Sequence, residues 1–120
     1  MTFKILTDAV DESLAVIAPV LGRIEQDGQT GDLRDLAAHL VRALRLFDRN
    51  PGIEAAADDL YAAAAALVGE NTRLPQPTAR GRRLLKDAHM RFRGRLEAAA
   101  DRVGPYDYLV VPDFPLRQAA

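Results

Sequence analysis

Cysteine is absent from this chain of 120 residues, and so is tryptophan. Without cysteine there is no disulfide framework, thiolate nucleophile, zinc ribbon or iron–sulfur cluster. Serine is almost missing: Ser13 is the only one, it falls inside a helical pattern, and no Gly-x-Ser-x-Gly elbow surrounds it. The glycines form neither Gly-x-Gly-x-x-Gly nor a Walker sequence, so no phosphate-cradling loop is encoded. Glutamate is scarce, with Glu12, Glu25, Glu54, Glu70 and Glu97 as the full set, and neither His39 nor His89 has a Glu three residues before it. The Glu-x-x-His pairs of a di-iron helical bundle are therefore missing. Asp87-x-His89 alone is too common a pairing to argue for a metal. No apolar run approaches the roughly 20 residues of a membrane span, and Met1-Thr2-Phe3-Lys4 opens no secretory signal. These exclusions predict a non-enzymatic protein of the cytoplasm, with no metal and no organic cofactor.

What is present supports a real core. Hydrophobic residues make up 48% and charged ones 28%, the balance of a folded chain rather than a disordered tail. The length suits one domain over residues 1–120. Its charge is unevenly distributed, since residues 1–70 hold 6 basic and 12 acidic residues while residues 71–120 hold 10 and 5. Such a split concerns surfaces and partners rather than fold. Fourteen of the 16 cations are Arg, the residue suited to planar ion pairs and protein interfaces, although a GC-rich genome would produce the same bias together with the 21 alanines.

Four helices follow from the apolar spacing. Leu6, Val10, Leu14, Ile17, Leu21 and Ile24 recur at steps of three and four and fall within about 80° of each other on a helical wheel. The spacing predicts a first helix over 8–26, capped by Thr7 and kinked or divided by Pro19. Leu33, Leu36, Ala37, Leu40, Val41, Leu44 and Phe47 give a second over 32–49 with Asp32 as its cap. Asn50-Pro51-Gly52 stops that helix and starts a third over 51–68, with Ile53, Ala57, Leu60, Ala64 and Leu67 as its spine and Gly69 as its expected end. The alanines of 62–66 make its surface thin, for close packing inside the bundle or for an oligomer interface. After the stiff, proline-bearing stretch 71–77, Thr78 caps a fourth helix over 79–102, with Leu84, Leu85, Ala88, Phe92, Leu96, Ala99 and Val103 inward. Residues 105–120 read as an extended C-terminal arm. Tyr106 to Val111 suits a short strand, and the arm's three aromatic residues, Tyr106, Tyr108 and Phe114, need cover from this bundle or from a second copy. The predicted fold is all-α, an up-and-down four-helix bundle with a kinked first helix and an extended C-terminal arm.

Two surface features could carry function. His39 lies on the shoulder between the core and solvent faces of the second helix. The stretch Ala38-His39-Leu40-Val41-Arg42-Ala43 resembles the signature of histidine-containing phosphotransfer domains, helical bundles with an accessible His followed by a cation at three residues and a small residue at four. The resemblance implies a phosphoacceptor imidazole at His39, charge balance from Arg42, and room for a response regulator at Ala43. It departs from that family at Pro51, which breaks the chain twelve residues after the His. His89 reads as a polar flank at the edge of its helix's buried stripe.

The stronger feature is the fourth helix. Between Arg80 and Arg95 stand seven cations, Arg80, Arg82, Arg83, Lys86, Arg91, Arg93 and Arg95, against one acid, Asp87. Most point away from the predicted core, with Met90 exposed among them. A solvated face, a protein-docking face and a nucleic-acid face are the three readings of such a pattern. Against the last stand a net charge of −1 for the whole chain and the lack of an outward aromatic residue among these cations for base stacking, since Phe92 faces inward. The favoured reading is a small protein-interaction module, an adaptor, accessory or assembly subunit. Arg80, Arg83, Lys86, Met90, Arg91 and Arg93 then bind an acidic protein surface, of another protein or of a second copy in a homo-oligomer. Phosphotransfer through His39 and Arg42 is the alternative, and nucleic-acid binding through the fourth helix is third.

Overall fold

Among the described residues the architecture is all-α, four helices packed as a bundle with one two-residue strand pair at the ends. The computed structural model describes residues 3, 4, 6–103, 111 and 112. Its helices are α1 (Leu6–Asp27), α2 (Thr30–Leu44), α3 (Pro51–Arg73) and α4 (Ala79–Val103). Each helix packs on the next, α4 returns onto α1, and α3 shares its largest interface with α4. Ile17 and Ile24 of α1, Leu36 of α2, Leu60 and Leu67 of α3, and Phe92 and Leu96 of α4 meet in one fully buried cluster. No polar or charged residue among the described ones is fully buried, and the core is made of apolar side chains alone.

The alanine-rich face of α3 is used internally in part. Ala56, Ala57 and Ala64 are buried, opposite an α4 that buries Ala88, Ala99 and Ala100. Ala62 and Ala66 face solvent. Small side chains on both partners let two helix backbones approach closely, in keeping with the extent of the α3–α4 contact.

Several boundaries differ from the sequence expectation, each for a local reason. Thr7 lies within α1 rather than capping it, and α1 runs continuously through Pro19 without being divided. Helix α2 starts two residues early, with Gln29 as its cap. Asp32 acts from the third position, its Oδ2 accepting the Gln29 N–H at 2.9 Å. The same helix stops at Leu44 instead of residue 49, because the chain tightens through Leu46 N–H to Ala43 O (3.1 Å) and Arg49 adopts a left-handed φ of 42°. Asn50 is extended, as the residue before a proline should be, and its Oδ1 accepts the Ile53 N–H at 3.1 Å.

Gly69 does not end α3. The helix continues one more turn to Arg73, where Thr72 Oγ1 and Arg73 Nε both donate to the Gly69 carbonyl, at 2.8 and 3.2 Å. Asn71 Nδ2 ties that turn to the end of α1 through the Gly28 carbonyl at 3.3 Å. Leu74, before Pro75, is then forced out of helical geometry. Leu84 and Val41 were expected inside and are instead 50% and 47% exposed, each on the flank of its helix beyond the buried stripe.

At the ends, Phe3–Lys4 forms β1 and Val111–Pro112 forms β2, an antiparallel pair with Phe3 opposite Pro112 and Lys4 opposite Val111. The remainder of the expected arm, 105–110 and 113–120, lies outside the described residues, as does the expected inward packing of the Val103 side chain.

Candidate functional site

Helix α4 begins where Thr78 places it. The Thr78 hydroxyl oxygen accepts the Gly81 N–H at 2.9 Å, and the Arg82 N–H reaches the Thr78 carbonyl at 3.1 Å, so the first orphan donors of the helix are satisfied. From that start the buried stripe Leu85, Ala88, Phe92, Leu96 and Ala99 fixes the rotation of the helix. All six residues assigned to docking, Arg80, Arg83, Lys86, Met90, Arg91 and Arg93, are exposed, Met90 by 62%.

The cations do not form one uniform stripe. On a wheel at 100° per residue, Arg82, Lys86 and Arg93 fall on one flank, Arg83 and Met90 on the back, and Arg91, Arg95 and Arg102 on the opposite flank within about 40° of each other. The first flank is partly neutralised: Arg93 Nε pairs with Glu97 Oε2 at 3.2 Å, one turn away. His89 lies beside that flank, half-buried. Desolvation there, helped by the Arg93 charge and opposed by Glu25, holds its imidazole below the usual range.

The opposite flank is built differently. Arg91, Arg95 and Arg102 line a cleft of about 410 Å³ whose floor includes Ala98 and Gly94 and whose far wall is Asn50 and Ile53 at the start of α3. Among the described residues, no carboxylate pairs with Arg91, Arg95 or Arg102. Arg95 leans over the first turn of α3, so that a Cβ built at Gly52 would stand 2.6 Å from Arg95 Nη1. The sequence counts Arg95 among the cations, reads Asn50 and Gly52 only as a helix stop and start, and gives no functional role to Arg102. The recurrence Arg91, Arg95, Ala98, Arg102 at steps of four, three and four was the available sign of a single row. Only the return of α3 along α4 supplies the second wall.

His39 occupies the shoulder of α2, partly buried, with its Nδ1 enclosed and without a hydrogen-bond partner. Arg42 is exposed, one turn on. Ala43, which in the phosphotransfer pattern leaves room beside the histidine, is fully buried in the core.

Among the described residues no group of three potential metal ligands lies together, and no helix is long and apolar enough to cross a membrane. No protein-family model matches the chain, and neither a curated protein nor a solved structure matches it significantly.

Proposed function

We propose that this chain is a small protein-interaction module that docks the exposed basic face of α4 on an acidic protein surface. The observation that carries the reading is the α4 surface itself. Six of the seven cations between Arg80 and Arg95 make no ion pair with a carboxylate among the described residues, and a methionine 62% exposed stands among them. Unpaired cations spread over the outer surface of α4, all but Lys86 guanidiniums, favour association with carboxylates both by steering and by bidentate pairing. Met90 adds a flexible apolar contact of the kind used at adaptable binding surfaces. A second copy of the chain is one source of a complementary face, since Glu54, Asp58 and Asp59 of α3 are all exposed.

Sedimentation velocity of the purified chain at low and high salt tests the self-docking form, with association falling as salt rises toward and beyond a Debye length of about 8 Å. The other readings have distinct signatures. Acid-labile phosphate on His39, abolished by His39→Gln, would replace docking by phosphotransfer. Nanomolar binding of duplex DNA or RNA with a steep salt slope would replace it by nucleic-acid recognition.

A further inference from the structure

We propose, building on the reading of α4 as a protein-docking face, that the cleft between the first turn of α3 and the C-terminal half of α4 grips an acidic peptide segment of the partner, with its carboxylates on Arg91, Arg95 and Arg102. Three cations line one wall without a carboxylate partner among the described residues, so an incoming anion gains charge-assisted hydrogen bonds and breaks none.

The dimensions favour a row of carboxylates over a single small anion. From Arg91 to Arg102 the helix rises about 16 Å, with Arg91 and Arg95 about 6 Å apart along the axis. An extended peptide repeats its same-side residues at about 6.6 Å, close to that step. One phosphate ion is too small to serve all three guanidiniums at their mean positions. Between the arginines the floor carries only the small, exposed Gly94 and Ala98, which leave room for the aliphatic stems of Glu or Asp side chains. Among the described residues no aromatic side chain lines the cleft, so none of them offers a surface on which bases could stack.

Gly52 contributes by having no side chain. Arg95 Nη1 occupies the space a Cβ would crowd to 2.6 Å, so glycine lets this guanidinium lie across the mouth of the cleft. The far end of an arginine is flexible, and alanine is compatible with the start of a helix. Gly52→Ala therefore keeps every charge and the fold while displacing Arg95.

The test is fluorescence anisotropy with a labelled peptide of twelve glutamates at low ionic strength. It is applied to the full chain and to three variants whose cooperative melting is checked by circular dichroism. Arg95→Ala with Arg102→Ala should weaken binding about tenfold, the loss expected for charge-assisted hydrogen bonds at a partly open site. Gly52→Ala should weaken it as well, and Arg80→Ala with Arg83→Ala, which removes as much charge outside the cleft, should weaken it clearly less. Equal losses in the two double variants would mean diffuse attraction by α4 and overturn the cleft while leaving the docking face standing. An intact chain that ignores the peptide yet still associates in a salt-dependent way would do the same. Tighter binding of a twelve-nucleotide single-stranded RNA than of the peptide, lost in Arg95→Ala with Arg102→Ala, would reassign the cleft to nucleic acid and overturn the proposal together with the reading beneath it.

Discussion

Thr78 closes onto Glu70 twice, its N–H donating to Glu70 Oε1 at 2.8 Å and its hydroxyl to the same oxygen at 3.0 Å. This clamp bridges the stretch between α3 and α4 and sets where the basic helix begins. These two hydrogen bonds hold the Glu70 carboxyl below the ordinary glutamate range, with a smaller pull from Arg73. Because the folded value is depressed, the stabilisation is present above the unfolded pKa and is lost as pH falls through the folded one. Glu70→Gln should lower Tm by a few degrees at pH 7, and the difference from the parent chain should disappear as the melts are carried to lower pH.

His89 adds a second acid-sensitive window at higher pH. Burial on the α1-facing flank disfavours its protonated form, the Arg93 charge acts in the same direction, and Glu25 opposes both. A base whose folded pKa lies below its unfolded value, about 6.5, takes up a proton more readily when unfolded. Stability is therefore retained above that value and falls as pH drops toward the folded pKa. Thermal melts between pH 8 and pH 5 should show this decline, and His89→Gln should flatten it. Asp32, held low first by the Gln29 N–H and then by Arg23, contributes its own loss only at more acidic pH.

The helices were legible in the sequence because apolar spacing of three and four is the dominant requirement for burying one face, and Asn50 and Thr78 carry their capping chemistry in their own side chains. The end of α3 was not legible. Its last turn depends on Asn71 reaching the Gly28 carbonyl of another helix, a contact between residues 43 apart in sequence. Leu84 differs for another reason: at 100° per residue it falls about 75° from the centre of the stripe of Ala88, Phe92, Leu96 and Ala99, where Leu85 falls only about 25° away, so the inward assignment spread the stripe too wide. Leu85 is 1% exposed and Leu84 50%. Leu85→Ala should cost about 2–5 kcal/mol and Leu84→Ala no more than about 0.5 kcal/mol in denaturant unfolding.

Gly28 marks the place where α1 hands over to α2 beneath α3. A Cβ there would stand 2.7 Å from the Ile24 Cα and 3.1 Å from Val68 Cγ2. The nearest of these atoms is backbone and cannot swing aside, and the Gly28 carbonyl is held by Asn71. Gly28→Ala should destabilise the fold by about 1–3 kcal/mol, the usual cost of overpacking, with a matching fall in the urea midpoint. Gly22 has open space around it, so Gly22→Ala, a helix-favouring change, should raise stability by roughly 0.5–1 kcal/mol and serves as the control.

Charge reversal on α4 separates docking from folding. Arg83 and Arg91 are exposed on different parts of the outer surface, and neither makes an ion pair among the described residues. Replacing both by Glu removes two positive charges and adds two negative ones without disturbing the stripe of Leu85, Ala88 and Phe92 beneath. The melting temperature should stay within a few degrees of the parent, because surface substitutions away from caps and buried pairs usually change stability by under about 0.5 kcal/mol. Association with an acidic protein surface should weaken by well over tenfold, since unfavourable like-charge juxtaposition is added to the lost attraction. Its salt dependence should flatten or reverse, which simple loss of a contact would not produce. Sedimentation velocity across a salt series checks both effects in one experiment. A double variant that associates as the parent does would show that this face of α4 is merely solvated.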